Sequence, residues 1–395
     1  MSITSKYKIG VVTGTRAEYG LLRNIIFKLY KNDMVELKVI VTGSHLCEEF
    51  GNTQNEILND GIKDFFKVFI PMDDDSKSAM AKSTGVACTK FSELFSNYRP
   101  DIIIVLGDRF EILAAVIAAH LSDIAIAHIS GGDVTEGAVD DAIRHCITKM
   151  SNLHFPGCEQ SRKRIIQMGE QPQYVFNVGE PGVENCLNLE KMSRKALAES
   201  LNFDIVNNDY SVVTFHPVTM ENNTGVKQVY ELIRAMDKLN DMYFIITMAN
   251  ADAGGRAIND IWIKEGKKHK NWLVVTSLGV VRYLSAMKYA KLVIGNSSSG
   301  IIETPSMGIP TINIGDRQKG RMMAESVISC LPIEKDIYNS MNIALTDDFQ
   351  EASKHVYSPF GNGNTTDQII CYVLDYLNNK QENNEKHFYD IDFSY

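Results

Sequence analysis

The chain has 395 residues, which is too long for one ordinary hydrophobic core and predicts two or three domains. A net charge of -9 excludes the broad basic surface that nucleic acids and anionic membranes require, so neither is an expected partner. No apolar run approaches the ~20 residues of a membrane span, and no N-terminal signal is recognisable, which together predict a soluble, cytoplasmic protein. The seven cysteines lack metal-ligand spacing and are expected to be reduced thiols.

Apolar, β-branched runs alternate with helical patterns in the first half of the chain. Strands are predicted at residues 8–13 and 37–42, and again at 101–106 (DIIIVL) and 124–128 (IAIAH). The last two runs are continuously apolar, as expected of strands buried on both faces of a parallel sheet. The Ala-rich segment 111–120 between them predicts a buried helix. Strand, helix and strand at this spacing predict right-handed crossovers and a parallel sheet.

The alternation restarts in the second half, where strands are predicted at residues 210–215, 243–248, 272–275, 291–295 and 311–314. The polar segment 180–208 opens with a Glu-Pro-Gly turn and is the expected junction. We therefore predict an α/β protein with two Rossmann-like, doubly wound domains facing a central cleft. The predicted domains are residues 1–180 and 181–380, the second including a helix at 367–379, followed by a tail at 381–395 that packs back or frays.

Polar residues follow two strands of the first domain, where open parallel sheets bind ligands. Residues 13–20 (TGTRAEYG) place Arg16 at this edge, although a plain strand-to-helix turn is the alternative. The segment is not G-x-G-x-x-G, so no dinucleotide fingerprint is present. Asp108 and Arg109 follow the DIIIVL strand directly and suit proton transfer beside an anion clamp. The alternative for Asp108 is a helix N-cap.

A third polar segment follows the IAIAH strand and leads into a predicted helix. One side of the first turns of that helix carries Asp140, Asp141, Arg144 and His145. Two carboxylates and an arginine suit acid–base chemistry on a sugar held by its phosphates, whereas capping and surface ion pairs are the alternative for the aspartate that faces away. His128, Asp133 and Asp140 match no strong metal pattern, so no metal is predicted.

Two segments of the second domain have comparable positions. His216 ends the first strand of that domain, and a structural histidine is the alternative. The Ser-rich turn at residues 295–300 (GNSSSG) offers backbone N–H groups and hydroxyls that suit a phosphate, or alternatively an ordinary helix cap. Glu303, about one turn into the next helix, suits a ribose diol, and Arg317 suits phosphate charge.

Together these segments resemble one enzyme family, the hydrolysing UDP-N-acetylglucosamine 2-epimerases of sialic acid biosynthesis. The similar stretches run in order over most of the chain and include LGDRFE (106–111), DDAIRHCITK (140–149), HPVT (216–219), GNSSSGIIE (295–303) and INIGDRQKGR (312–321), besides TGTRAEYG, TGSHL (42–46), FGNT (50–53) and GGD (131–133). Several are long and polar, and a fold-level likeness alone would not support the assignment.

The resemblance implies a GT-B-like pair of Rossmann domains, a UDP-sugar as partner, no cofactor and a homo-oligomer of two or four copies. It implies that the second domain holds UDP, with Ser297 and Ser298 at the diphosphate, Glu303 at the ribose, and Arg317 and His216 at the phosphates. Arg16 and Asn250 would add contacts to the nucleotide-sugar. The residues presented to the sugar by the first domain would be Asp108, Arg109, Asp140, Asp141 and Arg144.

The family reaction suits these residue types. A base removes the proton at sugar carbon 2 while UDP leaves carbon 1, and water then adds to the resulting glycal with inversion at carbon 2. Arginines and hydroxyls stabilise the charge that grows on the leaving diphosphate. A carboxylate can accept the carbon-bound proton where water is excluded.

Two loops favour the hydrolysing branch, because non-hydrolysing relatives typically have GTRPE and GQH where this chain has GTRAE and GSH. One position departs from the family: relatives often have a carboxylate where this chain has Ser130, so no base role transfers to it. Three alternatives stay open. They are the same reaction on UDP-N,N'-diacetylbacillosamine, a GT-B glycosyltransferase and a non-catalytic nucleotide-sugar sensor. The clustered aspartates argue against the sensor, because unpaired carboxylates beside a diphosphate only weaken binding.

Overall fold

Two six-stranded parallel sheets form the framework of the protein. The computed structural model describes residues 6–72, 76–135, 139–217, 224–249, 254–379 and 386–392. The strands of the first sheet are β1 (Tyr7–Thr13), β2 (Val35–Thr42), β3 (Phe65–Val68), β4 (Ile102–Leu106), β5 (Ala125–Ile129) and β6 (Leu153–Phe155). Those of the second sheet are β7 (Tyr210–Thr214), β8 (Tyr243–Thr247), β9 (Trp272–Val275), β10 (Leu292–Gly295), β11 (Thr311–Ile314) and β12 (Val327–Cys330).

Helices connect the strands in the described part of the chain. Associated with the first sheet are α1 (Arg16–Tyr30), α2 (Gln54–Asn59), α3 (Lys77–Asn97), α4 (Phe110–Leu121), α5 (Val139–Met150) and α6 (Glu159–Gln167). The next helices along the chain are α7 (Pro181–Asn188), α8 (Arg194–Leu201), α9 (Thr224–Met236), α10 (Gly255–Gly266), α11 (Gly279–Tyr289), α12 (Ser299–Ile302), α13 (Thr304–Met307), α14 (Glu334–Ala344), α15 (Asp347–Ser353) and α16 (Thr365–Asn379). Across the described residues, no helix combines the length and apolar character that a membrane span needs.

Both sheets have the same strand order. The first is β3-β2-β1-β4-β5-β6, and the second, β12-β11-β10-β7-β8-β9, is the same pattern counted from β7. This is the Rossmann order, in which the chain reverses its direction of winding between the first and fourth strands. The predicted fold class, α/β with two Rossmann-like units, is confirmed. The switch points lie between β1 and β4 and between β7 and β10, where ligands of such sheets bind.

The chain divides into two compact units. Unit 1 contains the residues up to Asp133, Asp140–Pro181 and those from Asn364 onward, whereas unit 2 contains Gly182–Gly363 and a short piece around Val134. The prediction assigned the C-terminal helix to the second domain, but α16 belongs to unit 1. Its residues Ile369 and Val373 are fully buried in the same apolar cluster as Leu22 and Ile25 of α1. Hydrophobic burial against α1 therefore decides where this helix lies.

The tail also packs on unit 1. The Lys386 ammonium donates to Glu170 Oε2 at 2.8 Å and to the Ser151 carbonyl at 2.7 Å, and the backbone N–H of Tyr389 donates to the Gly169 carbonyl at 2.9 Å. Glu170 also pairs with His154 at 3.0 Å. Burial opposes ionisation of Glu170, but its hydrogen bonds to His154, Lys149 and Lys386 prevail and lower its pKa to about 2.

The sequence missed three short strands, β3, β6 and β12, each of which is the outermost strand at one edge of a sheet. Edge strands are short and can expose one face, so they lack the continuous apolar run that marks a central strand. The predicted junction at 180–208 also differs from a loose linker, because α7 and α8 occupy much of it. All seven cysteines are free thiols, as expected.

Candidate active site

The loop after β1 is held rigidly at the switch point of unit 1. Thr15 caps α1, and the Glu18 carboxylate reaches back to accept from the backbone N–H of Gly14 at 2.7 Å and of Thr15 at 3.2 Å. This reciprocal arrangement is a capping box, which satisfies otherwise unpaired helix donors. Arg16 is the first residue of α1 and forms a long ion pair with Glu56 at 3.7 Å. The loop therefore fixes the backbone of Arg16, whereas the Arg16 side chain is partly exposed.

The neighbouring loop after β2 supports the first. His45 is fully buried, and its ring nitrogens lie 3.0 Å from Thr13 Oγ1 and 2.8 Å from Thr53 Oγ1. Burial lowers the pKa of His45 to about 4, so the ring is neutral near pH 7. The Ser44 hydroxyl donates to the Gly14 carbonyl at 3.1 Å. These hydrogen bonds connect the loop after β1 to the loop after β2, so the TGTRAEYG and TGSHL segments are in contact.

A buried carboxyl pair lies beneath this loop and beside Arg109. Glu111 is fully buried and accepts from Arg109 Nε at 2.6 Å, while a β-carbon at Gly14 would lie 2.7 Å from Glu111 Oε1. Burial and the charge of Glu111 raise the pKa of Glu18 to about 8, although Arg109 and the two loop N–H groups oppose the shift. Glu18 is therefore mostly protonated at neutral pH, and Glu111 orients Arg109. Neither glutamate is among the site residues predicted from the sequence.

Asp108 is held by an arginine from a different helix. Arg144 is 2% exposed, and its Nε donates to Asp108 Oδ2 at 2.8 Å while its Nη2 makes a second, shorter bond to the same oxygen. Arg144 Nη1 also donates to the Asp133 carbonyl at 2.8 Å. The N-cap residue of α4 is Arg109 rather than Asp108. The buried guanidinium thus fixes a partly exposed carboxylate at the end of β4.

Two aspartates lie at the start of α5. Asp141 lies 3.7 Å from Arg144 and 3.6 Å from His145, so it joins the same charged group. Asp140 is partly exposed. His128 is fully buried between the Gly107 carbonyl at 2.8 Å and Thr148 Oγ1 at 3.1 Å, and burial lowers its pKa to about 3. Its ring nitrogens therefore serve the structure. Across the described residues, no group of His, Cys, Asp or Glu could hold a metal ion.

One buried carboxylate was missed altogether. Glu180 is 5% exposed, and its Oε2 accepts from the Ser130 hydroxyl at 2.6 Å. Ser130 directly follows β5, so this bond places Glu180 at the carboxyl-end edge of the unit 1 sheet. In the sequence, residue 180 is predicted only as the start of a turn at the domain junction. A carboxylate beside Gly and Pro gave no periodic or motif signal that would distinguish it.

Asn296 organises the corresponding edge of unit 2. It exchanges two hydrogen bonds with His216: the His216 N–H donates to Asn296 Oδ1 at 2.7 Å, and Asn296 Nδ2 donates to the His216 carbonyl at 2.8 Å. The Asn296 carbonyl accepts from Arg317 at 3.1 Å and from Gln318 at 2.9 Å. Gly295 has φ +136°, and a β-carbon there would overlap the Thr214 carbonyl. The loops after β7, β10 and β11 thus meet at Asn296, whose side-chain amide bonds the first loop and whose backbone carbonyl bonds the third. From the sequence, Asn296 had no role of its own within the Ser-rich turn.

The Ser-rich turn differs in one respect from its prediction. Ser298 is the N-cap of α12, but that helix has only four residues, and Glu303 follows its last residue. Glu303 Oε2 is buried and has no hydrogen-bond partner among the described residues. Burial raises the pKa of Glu303, a shift that a hydrogen bond from Ser299 partly opposes. The structure brings His216, Ser297, Ser298 and Arg317 to adjacent strand ends, whereas Asn250 lies outside the described residues.

These features define a class of protein. Both units are Rossmann-like: unit 1 has carboxylates and arginines at its switch point, and unit 2 has hydroxyls, an amide and an arginine. The sequence profile of the UDP-N-acetylglucosamine 2-epimerases matches residues 28–374. The chain belongs to this epimerase family.

Individual relatives agree with the family. The chain is 40% identical over 326 residues to a GDP/UDP-N,N'-diacetylbacillosamine 2-epimerase (hydrolyzing) from Campylobacter jejuni, covering 82% of this chain and 84% of the relative. It is 37% identical to the polysialic acid biosynthesis protein P7 of Escherichia coli, covering 97% of both. The crystal structure of Neisseria meningitidis UDP-GlcNAc 2-epimerase bound to UDP-GlcNAc has the same fold, with a TM-score of 0.79 at 19% identity over 93% of this chain and 100% of that one.

Proposed function

We propose that the chain is a hydrolysing 2-epimerase that converts UDP-N-acetylglucosamine and water into UDP and N-acetylmannosamine for sialic acid biosynthesis. The observation that carries this proposal is Asp108, a partly exposed carboxylate at the unit 1 switch point that is held by the buried Arg144. Removal of a carbon-bound proton needs a positioned base, and a carboxylate fixed by a guanidinium provides one. The hydrolysing and polysialic acid relatives support the reaction and the pathway.

In this proposal unit 1 performs the proton chemistry. Asp108 accepts the proton at sugar carbon 2, Arg144 and Asp141 keep it in place, and Arg109, oriented by Glu111 at 2.6 Å, faces the developing negative charge. Asp140 contacts the sugar. As the carbon–hydrogen bond breaks, its electrons form the double bond between carbons 1 and 2, and UDP leaves with the electron pair of the carbon–oxygen bond.

Unit 2 binds the nucleotide in this proposal. Ser297 and Ser298 donate hydroxyls to the diphosphate, Arg317 and His216 contact its phosphates, and Glu303 accepts from the ribose diol. Glu303 Oε2 supports that role, because a buried oxygen with no partner among the described residues gains most from a ligand hydroxyl. Since α12 has only four residues, the hydroxyls and Arg317 are expected to contribute more to phosphate binding than the helix dipole does. Arg16 and Asn250 complete the proposed contacts.

A second substrate is favoured by a specific observation. The relative from Campylobacter jejuni, at 40% identity, acts by name on N,N'-diacetylbacillosamine linked to a nucleotide. The same base and the same leaving group would serve that sugar, which differs from N-acetylglucosamine away from carbons 1 and 2. The alternative is therefore a hydrolysing 2-epimerase acting on UDP-N,N'-diacetylbacillosamine in legionaminic acid biosynthesis.

Parallel assays of the two UDP-sugars test the proposal. Purified protein in deuterated water is expected to release UDP and N-acetylmannosamine from UDP-N-acetylglucosamine, with one deuterium at carbon 2. Accumulation of UDP-N-acetylmannosamine would contradict the hydrolysing assignment. Turnover of the diacetylbacillosamine substrate alone, by kcat/KM, would replace the first substrate with the second.

A further inference from the structure

Glu180 is a buried carboxylate that the proposed reaction has not yet used. It lies at the end of segment 156–180, which follows β6 in the chain. The Ser130 hydroxyl donates a hydrogen bond to Glu180 Oε2 at 2.6 Å. The backbone N–H of Ser130 donates to the Phe155 carbonyl at 3.0 Å, and the N–H of Gly107 donates to the Ile129 carbonyl at 3.1 Å. Backbone hydrogen bonds therefore connect the carboxyl ends of β4, β5 and β6. Asp108 and Ser130 follow adjacent strands at this end of the sheet.

The surroundings of Glu180 are built to accept it. A β-carbon at position 157 would overlap Glu180 Oε1, so only glycine leaves room for the carboxylate at this place. Ser130 has φ +60°, a left-handed conformation that non-glycine residues adopt at some cost in energy. Gly157 therefore leaves the space that the Glu180 carboxylate occupies, and the left-handed Ser130 holds the hydroxyl that bonds it. Strain that persists in a well-bonded setting is typical of functional sites.

The reaction needs a second proton-transfer group. Inversion at carbon 2 requires that one proton leaves one face of the carbon and that another arrives on the opposite face. A single fixed carboxylate reaches one face only, so two groups must share the task. Asp108, fixed at the end of β4 by Arg144, takes the first proton in the proposed function. Glu180 is a second carboxyl group fixed at the same edge of the sheet, where its Oε2 accepts from the Ser130 hydroxyl, and it is available for the second proton transfer.

We propose that Glu180, positioned by Ser130 and Gly157, is the acid that delivers the proton to carbon 2 in the second half of the reaction. This inference rests on the proposed function. In this step the glycal double bond takes the Glu180 proton at carbon 2, and water adds its oxygen to carbon 1. The adding water returns one proton to the Glu180 carboxylate, and the proton first taken by Asp108 passes to solvent, so protons and electrons balance.

Replacement of Glu180 separates the two halves of the reaction. Glu180→Gln keeps the shape and an oxygen for Ser130 but cannot deliver a proton. We expect its release of N-acetylmannosamine to fall about 10²–10⁴-fold, the usual contribution of a general acid. UDP release should fall much less, so that UDP appears together with a glycal identified by its mass, one water lighter than the aminosugar.

A second variant moves the carboxylate without changing any charge. Gly157→Ala puts a methyl group where Glu180 Oε1 lies and is expected to shift the products in the same direction, from aminosugar toward glycal. Glu159→Gln, an exposed residue of α6 in the same segment, is the matched control and should behave as the wild type. UDP affinity and thermal melting of each variant verify that it is folded.

The outcomes are distinct. Wild-type product ratios in both Glu180→Gln and Gly157→Ala would overturn the inference and leave the proposed function intact. Equal loss of UDP release and aminosugar release in Glu180→Gln would also overturn it, because the residue would then act in the first step. A wild-type protein that releases UDP from neither UDP-sugar would reject the proposed function, and this inference with it.

Discussion

The two switch-point edges have the same strand order but different side chains. At the edge of unit 1, buried or partly buried carboxylates each have a fixed partner: Arg144 for Asp108, Arg109 for Glu111 and Ser130 for Glu180. At the edge of unit 2, Asn296 joins three loops through its neutral side-chain amide and its backbone carbonyl. Strand order therefore decides where a ligand can bind, whereas the residue types at the strand ends decide which reaction the ligand undergoes.

The difference also has an energetic side. A buried carboxylate costs free energy unless a cation or hydrogen bonds compensate it, so a protein that only bound UDP would have little reason to keep several of them at one edge. Asn296, by contrast, is uncharged, and its hydrogen bonds hold the loops at the end of the unit 2 strands in place. We infer that unit 1 carries the reactive groups and unit 2 the anchoring groups. The predictions below test this division.

The largest expected effect is on turnover. Asp108→Asn keeps the shape of the side chain and an oxygen for Arg144 but removes the base, so kcat should fall about 10²–10⁴-fold. UDP affinity by calorimetry should stay at the wild-type value, because unit 2 is expected to hold UDP. Asp123→Asn is the matched control, since Asp123 is exposed and follows α4 at the opposite end of β5. An active Asp108→Asn enzyme, or one that lost only UDP binding, would reverse the assignment of roles.

A smaller effect is expected on nucleotide binding. Glu303→Ala and Arg317→Ala should each weaken UDP binding by about 1.5–3 kcal/mol, as expected for a charge-assisted hydrogen bond. Calorimetric titration of UDP measures the loss, and Glu351→Ala, an exposed position of unit 2, serves as control. Unchanged UDP affinity in both variants would remove the anchoring role from this edge.

The sequence alone could predict the central strands of the fold better than the side-chain pairs of the candidate site. The central strands β4, β5, β7 and β10 are short apolar runs between helices, so their burial is visible in the pattern itself. The pairs at the edge are not visible, because Arg144 and Asp108 are 36 residues apart and Ser130 and Glu180 are 50 apart. No local pattern links such positions. The roles of the site residues and the oligomeric state therefore stay predictions.

The smallest expected effect is a pH dependence of stability that comes from unit 1. Burial, with the charge of Glu111, raises the pKa of Glu18 from 4.5 to about 8 in the folded protein. A carboxyl group with a raised folded pKa binds its proton more tightly when folded, so its stabilisation is complete below the unfolded pKa. That stabilisation is lost as the pH rises through about 8.

Glu18→Gln isolates this contribution, because the amide still accepts from the N–H groups of Gly14 and Thr15 but does not titrate. One proton difference corresponds to a slope of at most about 1.4 kcal/mol per pH unit. Between about pH 6 and pH 8, the free energy of unfolding of the wild type should therefore fall by an average of about 1 kcal/mol per pH unit relative to Glu18→Gln. Urea unfolding of both proteins at several pH values measures the difference, with the exposed Glu36→Gln as control. Parallel pH profiles for Glu18→Gln and the wild type would show that Glu18 is charged in the folded protein, and the carboxyl pair beneath the first loop would then have to be assigned differently.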